Sequence, residues 1–489
     1  MFHLLLLFLF FSTPYARNEA YRKFKQLPHS VKVEESNLKL IFSNAIWRHG
    51  DRAPEVPLPG GVDRLQESDW IFGGGGYGEL STQGMSMHFN LGRNLMQPRY
   101  MNTLLSPIYN SREIYVRSTD YNRTLISAYS QLAGIYSNQP GNRPGIDLPD
   151  SLNGWPTGFV PIPIHTVDDD TDFVGNTEPV CKRLDQLEDL VASSQPYIDY
   201  ENSAQVKQTL DYLSNNTNSL VTFESVHHVW DTIYCESQHM NDIGGGANIT
   251  DWYPWYYAGN ISQIVDSIVS KNYDFVNGIG NPGGVQGINV SVEIPKIKSG
   301  STFQMISSYM HGVLACYKSS TFGTDDDCRA PFDKLKYLAI SAHDTTVDAY
   351  LTALGAKTTL VPEGYPLYSA SVLTELYVDN TTGEAYVQFM YHDDPAEGFR
   401  SFSPFVFGCP IDSNYCPLAC YEDLVALYDP GDANALCEVD VFDVPPTTEG
   451  PSPLTTPLPT QPPPVDTTTQ SSSLHIPFFA ASLLLLFFA

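Results

Sequence analysis

Leu38-Lys39-Leu40-Ile41-Phe42-Ser43-Asn44-Ala45-Ile46 runs directly into Trp47-Arg48-His49-Gly50-Asp51-Arg52-Ala53-Pro54. The first nine residues are mostly apolar, which predicts a buried strand. The next eight place two arginines, a histidine and an aspartate where that strand must end. Asp51 to Gly76 is rich in Pro and Gly and reads as loop. Ser81 or Thr82 then caps a helix expected to reach about Met96.

Two further segments repeat this arrangement. Glu113-Ile114-Tyr115-Val116-Arg117 predicts a strand, followed by a helix from about Asp120 to Tyr136. Leu335 to Ser341 predicts another, running into Ala342-His343-Asp344 and a helix from Thr345 to Leu354. Strands alternating with helices imply an α/β domain with a largely parallel sheet. Thr374–Val378 and Glu384–Tyr391 flank Asp379-Asn380-Thr381-Thr382-Gly383, a hairpin signal. Pro179 to about Ser270 is helical in pattern, with Leu184, Leu187 and Leu190 at helical spacing, and Ser301 to Tyr317 reads as a helix returning to the sheet. No internal repeat is present.

Three strand ends thus deliver Arg48, His49, Arg52, Arg117, His343 and Asp344 to the edge where open α/β sheets bind ligands. Burying such groups is costly unless they have a shared partner, and a polyanion such as phosphate is one. A phosphate ester spreads its charge over three oxygens, and guanidinium forks pair with them bidentately. Arg48, Arg52 and Arg117 are the candidate forks. Neutral imidazole is a good nucleophile at acid to neutral pH, which suits His49. A carboxyl group can protonate the leaving alkoxide, which suits Asp344. Gly50 is expected to let the backbone turn tightly beside the phosphate. A lone Arg-His pair is usually surface. The whole pattern R-H-G-x-R-x-P arises by chance in a chain this long on the order of once in ten thousand. His343-Asp344 alone carries less, and its position after an apolar strand and before Thr345-Thr346 adds to it.

Arg48-His49-Gly50-Asp51-Arg52-Ala53-Pro54, Tyr115-Val116-Arg117-Ser118-Thr119-Asp120 and Ser341-Ala342-His343-Asp344-Thr345-Thr346 resemble the histidine acid phosphatase family, in particular animal prostatic and lysosomal types. Leu373-Thr374-Glu375-Leu376-Tyr377 and Cys416-Pro417-Leu418 extend the likeness, which covers about Leu38 to Val439. The resemblance implies a three-layer sandwich around a mixed, largely parallel sheet, with a smaller helical domain inserted at about 140–270. It implies His49 as a phosphohistidine nucleophile, Asp344 as proton donor, and Arg48, Arg52, Arg117 and His343 as phosphate ligands. It implies no cofactor, no metal and a homodimer. All six positions are filled, which argues against a homologue that has lost catalysis. The resemblance also implies disulfides Cys181–Cys437 and Cys409–Cys416. It would pair Cys235 with a cysteine at the place of Ser371, so Cys235 lacks its expected partner, and Cys316, Cys328 and Cys420 are extra. Cys316 and Cys328 are close enough in sequence to pair locally.

The chain has 489 residues, with 27 basic and 55 acidic side chains and a net charge of -28. That balance leaves no footprint for nucleic acid. Met1 to Phe11 is nearly pure Leu and Phe, and residues 1–16 read as a secretory signal, with the phosphatase domain at 17–443. The eight cysteines then read as disulfides in an oxidising compartment. Val444 to Ser473 is a Pro/Thr/Ser-rich stalk, and 474–489 a hydrophobic anchor signal. A helix over Ile476–Ala489 covers ~21 Å, short of a ~30 Å hydrocarbon core, which favours a lipid-attachment signal over a single-pass helix. The expected setting is the secretory pathway, cell surface or a lysosome-like compartment, with a membrane tether. Sequons at Asn215, Asn248, Asn260, Asn289 and Asn380 are expected to carry glycans, and the one at Asn122, beside the site, is expected to be unused. His227, His228 and His239 suggest a metal only weakly, since no paired metalloprotease spacing accompanies them. They read as part of the packed helical lobe. Substrates are expected to be small-molecule or protein phosphomonoesters. The alternatives are a phytase-like phosphatase of the same fold, against which the net charge leans, and a non-enzymatic surface glycoprotein. A cytosolic mutase is disfavoured by the signal and sequons.

Overall fold

The computed structural model describes residues 37–136, 143–149, 155, 159–281, 284–319 and 328–443. The signal, stalk and anchor segments at 1–16, 444–473 and 474–489 lie outside them. Among the described residues no helix is long and apolar enough to cross a membrane.

The opening segment forms β1 (Leu38–Arg48), two residues longer than its apolar run. Phe42, Ala45, Ile46 and Trp47 are fully buried, because β1 lies between two neighbours and is covered on both faces. With β2 (Ile114–Ser118), β3 (Tyr337–Ala342), β4 (Ser371–Asp379), β5 (Ala385–His392) and β6 (Arg400–Ser401), the order is β2-β3-β1-β4-β5-β6. A short β7 (Cys416–Pro417) also pairs with β5. The sheet is mixed. β2, β3 and β1 are parallel, and β4 onward is antiparallel. The β4–β5 hairpin turns where Asp379 to Gly383 predicts, with Asp379 Oδ1 accepting from the Thr381 and Thr382 amides.

Helices cover both faces, giving three layers. On one face Ala45 and Trp47 pack with Leu91, Met96, Ala128 and Leu132. On the other, Tyr350 reaches Thr374, and Phe303 packs on Tyr350 and Tyr421. The helix predicted from Ser81 begins with Ser81 as N-cap, its oxygen accepting from Gly84 N at 3.0 Å. It is α-helical over Thr82–Asn90 and widens to a π-helical turn over Leu91–Met96.

Between β2 and β3 the chain forms helices Lys182–Ala192, Gln195–Glu201, Ala204–Thr217, Val226–Gln238 and Ile261–Val276. Leu184, Leu187 and Leu190 face their common core, which Leu58, Tyr365 and Leu436 enter from elsewhere in the chain. Cys181–Cys437 and Cys409–Cys416 are bonded, the two pairs the resemblance implied, and Cys316–Cys328 is a third. Cys235 and Cys420 are free thiols. All six sequon asparagines lie on the surface.

Candidate active site

Backbone pairing alone assembles the site. His49 N donates to Ala342 O at 2.9 Å, and Thr119 N donates to Ser341 O at 3.1 Å. The ends of β1, β2 and β3 are thereby level, and each next residue leaves the sheet at the same edge. Asp344 opens the helix Asp344–Ala353, with His343 as its N-cap. The rings of His49 and His343 meet edge to face at 5.7 Å.

Gly50 is a glycine for a reason other than the expected turn. Its φ is not in the left-handed region. A Cβ on it would instead lie 2.4 Å from Gly84 O, and one on Gly84 would lie 2.2 Å from Asp51 O. The segment after β1 and the first turn of the Thr82–Asn90 helix touch backbone to backbone, which only two glycines permit.

Three arginines converge, and one is not the expected one. Arg48 is wholly buried. It donates to Pro366 O at 2.9 Å, lies 2.9 Å from Asp344 Oδ2, and has its guanidinium 4.2 Å from the Tyr368 ring centre. Arg52 forms a two-pronged pair with Asp231 at 2.9 and 3.1 Å. Burial raises the Asp231 carboxyl, and Arg52, with Arg48 and the Glu55 amide, more than reverses this, leaving it below its ordinary range. The third is Arg123, in the first turn of the helix Asn122–Tyr136. Its Nη2 lies 2.6 Å from Glu55 Oε1, and its guanidinium stacks 4.6 Å from the Tyr121 ring. After burial, Arg123 is the charge acting most strongly on both His49 and His343. Arg117, the candidate from sequence, is engaged elsewhere. Its guanidinium is held by the buried Asp172. Arg117 lies within β2, whereas Arg123 is in the first turn of the helix that follows it. The Nε atoms of Arg48, Arg52 and Arg123 are buried without a hydrogen-bond partner among the described residues, as is that of Arg117.

His49 is 1% exposed, and its Nδ1 lies 2.8 Å from Gly50 O. A carbonyl only accepts, so Nδ1 carries the proton and Nε2 keeps its lone pair. Burial, then Arg123, Arg48 and Arg52, push the ring well below the ordinary histidine range, so it stays neutral in acid. His343 is pushed the same way by burial and the same arginines, and its Nε2 meets Thr119 Oγ1 at 3.0 Å.

Further partners come from far along the chain. Asp51 accepts from Ser81 Oγ, and from His239 Nε2 at 2.7 Å. His239 therefore serves the strand-end motif, where the sequence suggested only packing. Cys235, without a disulfide partner, has Sγ 3.1 Å from Tyr368 Oη and 3.5 Å from Arg52 Nη1, and fills the wall behind Arg52. Asp231, Cys235 and Tyr368 carry no signal in sequence, because each lies more than 130 positions from its partner. Arg123 did carry one: it follows the second strand within a helical turn. Asn122, the neighbouring sequon, donates from Nδ2 to Glu79 Oε1 at 2.8 Å.

Residues 39–392 match the model of the histidine phosphatase superfamily (branch 2). The chain belongs to that superfamily. This histidine phosphatase is 30% identical over 420 residues to the Caenorhabditis elegans protein named "Putative acid phosphatase 11", covering 83% of this chain and 94% of the relative. It is 29% identical over 393 residues to human lysosomal acid phosphatase, covering 80% and 78%. Among solved structures, Hafnia alvei phytase superposes with a TM-score of 0.52 at 15% identity, covering 83% and 100%, which bears on fold alone. The α/β fold and the phosphatase activity expected from the strand-end motifs therefore stand: the chain is an enzyme that hydrolyses phosphate monoesters.

Proposed function

We propose that this histidine phosphatase is an acid phosphatase working through a phosphohistidine on His49. The observation that carries the reading is the neutral His49 ring, held by Nδ1 to Gly50 O with Nε2 free, among Arg48, Arg52 and Arg123. The arginines orient the phosphoryl group and spread its charge in the transition state. His49 Nε2 forms a bond to phosphorus as the ester P–O bond breaks. Asp344 gives its proton to the departing alkoxide, which leaves as alcohol. Water then attacks phosphorus, the P–N bond breaks, the water proton passes to Asp344, and inorganic phosphate leaves. His343, beside His49, is a phosphate ligand in this reading, and Arg123 takes the role first given to Arg117. A secretory or lysosomal setting is supported by three disulfides and by the lysosomal acid phosphatases among the relatives.

The test is turnover of p-nitrophenyl phosphate and of glycerol phosphate across pH. Parent enzyme is expected to be fastest in acid, where the His49 ring, held well below the ordinary histidine range, is still a nucleophile. His49→Ala is expected to lose on the order of a thousandfold or more. Asp344→Asn should slow glycerol phosphate more than p-nitrophenyl phosphate, because nitrophenoxide leaves with less help. Undiminished turnover in His49→Ala would end the nucleophile assignment.

A further inference from the structure

Each of the three arginines of the site has an acidic side chain against it. Asp344 lies against Arg48, Asp231 holds Arg52, and Glu55 holds Arg123 at 2.6 Å and approaches Arg52 at 3.7 Å. A phosphate dianion entering this site meets arginines that are already paired. The carboxylates differ in freedom. The Asp344 and Asp231 side chains are 12% and 11% exposed, on short stems fixed in helices, whereas Glu55 is 46% exposed, on a longer stem in a loop. Glu55 is the one that can leave.

Resting on the proposed phosphate site, we propose that Glu55 is its displaceable counter-ion: a carboxylate that holds Arg123 in the free enzyme, yields to a phosphoryl group, and disfavours polyphosphorylated substrates. In the free state Glu55 stabilises the buried Arg123, which burial otherwise penalises. Phosphate binding must break that contact, so each phosphate is bound less tightly than the three arginines alone would bind it. Once displaced, the carboxylate stays at the rim, tethered three residues from Arg52. A second carboxylate lies near the same arginine, since Tyr121, which stacks on Arg123, donates from Oη to Asp169 at 2.9 Å. A substrate with one phosphate and an uncharged remainder meets neither carboxylate with a second negative charge. One with further phosphates brings them against both carboxylates.

Glu55→Gln keeps the shape and removes the charge. Inhibition by inorganic phosphate, KM and kcat for p-nitrophenyl phosphate, and turnover of inositol hexakisphosphate are measured at low and high salt. The Ki for inorganic phosphate and the KM are expected to fall together by roughly three- to tenfold at low salt, with kcat changed less. The gain should shrink at high salt, because the contact is half exposed. Inositol hexakisphosphate should gain more in kcat/KM than p-nitrophenyl phosphate, and Glu55→Asp should return the Ki toward that of the parent. A Ki in Glu55→Gln equal to or higher than the parent's at low salt overturns the proposal. If turnover is too low to read, calorimetric binding of inorganic phosphate to the folded variant decides the same point. Failure of the nucleophile assignment would show instead as activity in His49→Ala, which leaves the phosphate comparison readable.

Discussion

Arg117 and Arg123 stand six positions apart around the turn after β2, and the fold gives them different partners. Arg117 neutralises Asp172, which is fully buried and also accepts from the Val174 and Gly175 amides. Arg123 faces the two histidines. Removing each should therefore produce a different loss. Arg123→Ala is expected to lower kcat/KM for p-nitrophenyl phosphate by about a hundredfold or more, with little change in Tm. Arg117→Ala should leave a buried carboxylate unpaired and cost about 3 kcal/mol of stability, with a smaller kinetic effect. Kinetics and thermal denaturation of both variants check this. A larger kinetic loss in Arg117→Ala would restore the assignment made from sequence.

Among elements, the contact that positions the site is between the end of β1 and the start of the Thr82–Asn90 helix. Ser81 caps that helix and donates to Asp51, Ser81 N donates to Asp51 O, and Ala53 N donates to Glu79 O. Gly50 and Gly84 let the two backbones touch. On an isolated helix, Gly84→Ala would stabilise by about 1 kcal/mol. Here the added methyl meets Asp51 backbone O at 2.2 Å and N at 2.8 Å, and neither can swing aside. The expected outcome is destabilisation of about 1–3 kcal/mol together with lowered kcat/KM, since His49 is two residues from the contact. A Gly84→Ala protein with a raised Tm would show that the helix can shift without cost.

Across the whole molecule, buried titratable groups make stability depend on pH in opposing senses. Burial lowers His88 to about 3. Below about pH 6.5 the unfolded chain takes up a proton that folded His88 refuses, so stability is lost as pH falls toward 3. Burial raises Glu236 to about 7, although Tyr253 Oη donates to it at 2.5 Å. Between the ordinary carboxylate range and 7, folded Glu236 keeps a proton that the unfolded chain has released, so stability falls as pH rises through that window. Burial likewise raises Asp348 to about 7, against the pull of Lys357. Glu236→Gln removes one of these terms. Its stability relative to the parent is expected to improve by about 3 kcal/mol from near pH 4 to near pH 8. Denaturation at both values tests this, and a constant difference would mean that Glu236 does not titrate in the window.

What sequence alone determined here was local in origin. An apolar strand, the turn that ends it and the helix that follows are written in contiguous residues, so β1, β2, β3 and the β4–β5 hairpin were legible, and with them His49, His343 and Asp344. The parallel neighbours of β1 then brought those strand ends together, as the α/β pattern requires. What tertiary structure decided was which charges face each other. Arg117 pairs with Asp172 and Arg123 with Glu55, partners 55 and 68 positions away. Asp231, Tyr368 and His239 reach the site from 133 to 188 positions away from the residues they touch. Electrostatic pairing acts through space at a few ångströms, and sequence spacing over such distances carries no record of it. Gly50 shows the same division in one residue: its place in the motif was plain, and its reason, the backbone of Gly84, appeared only when the two segments were packed.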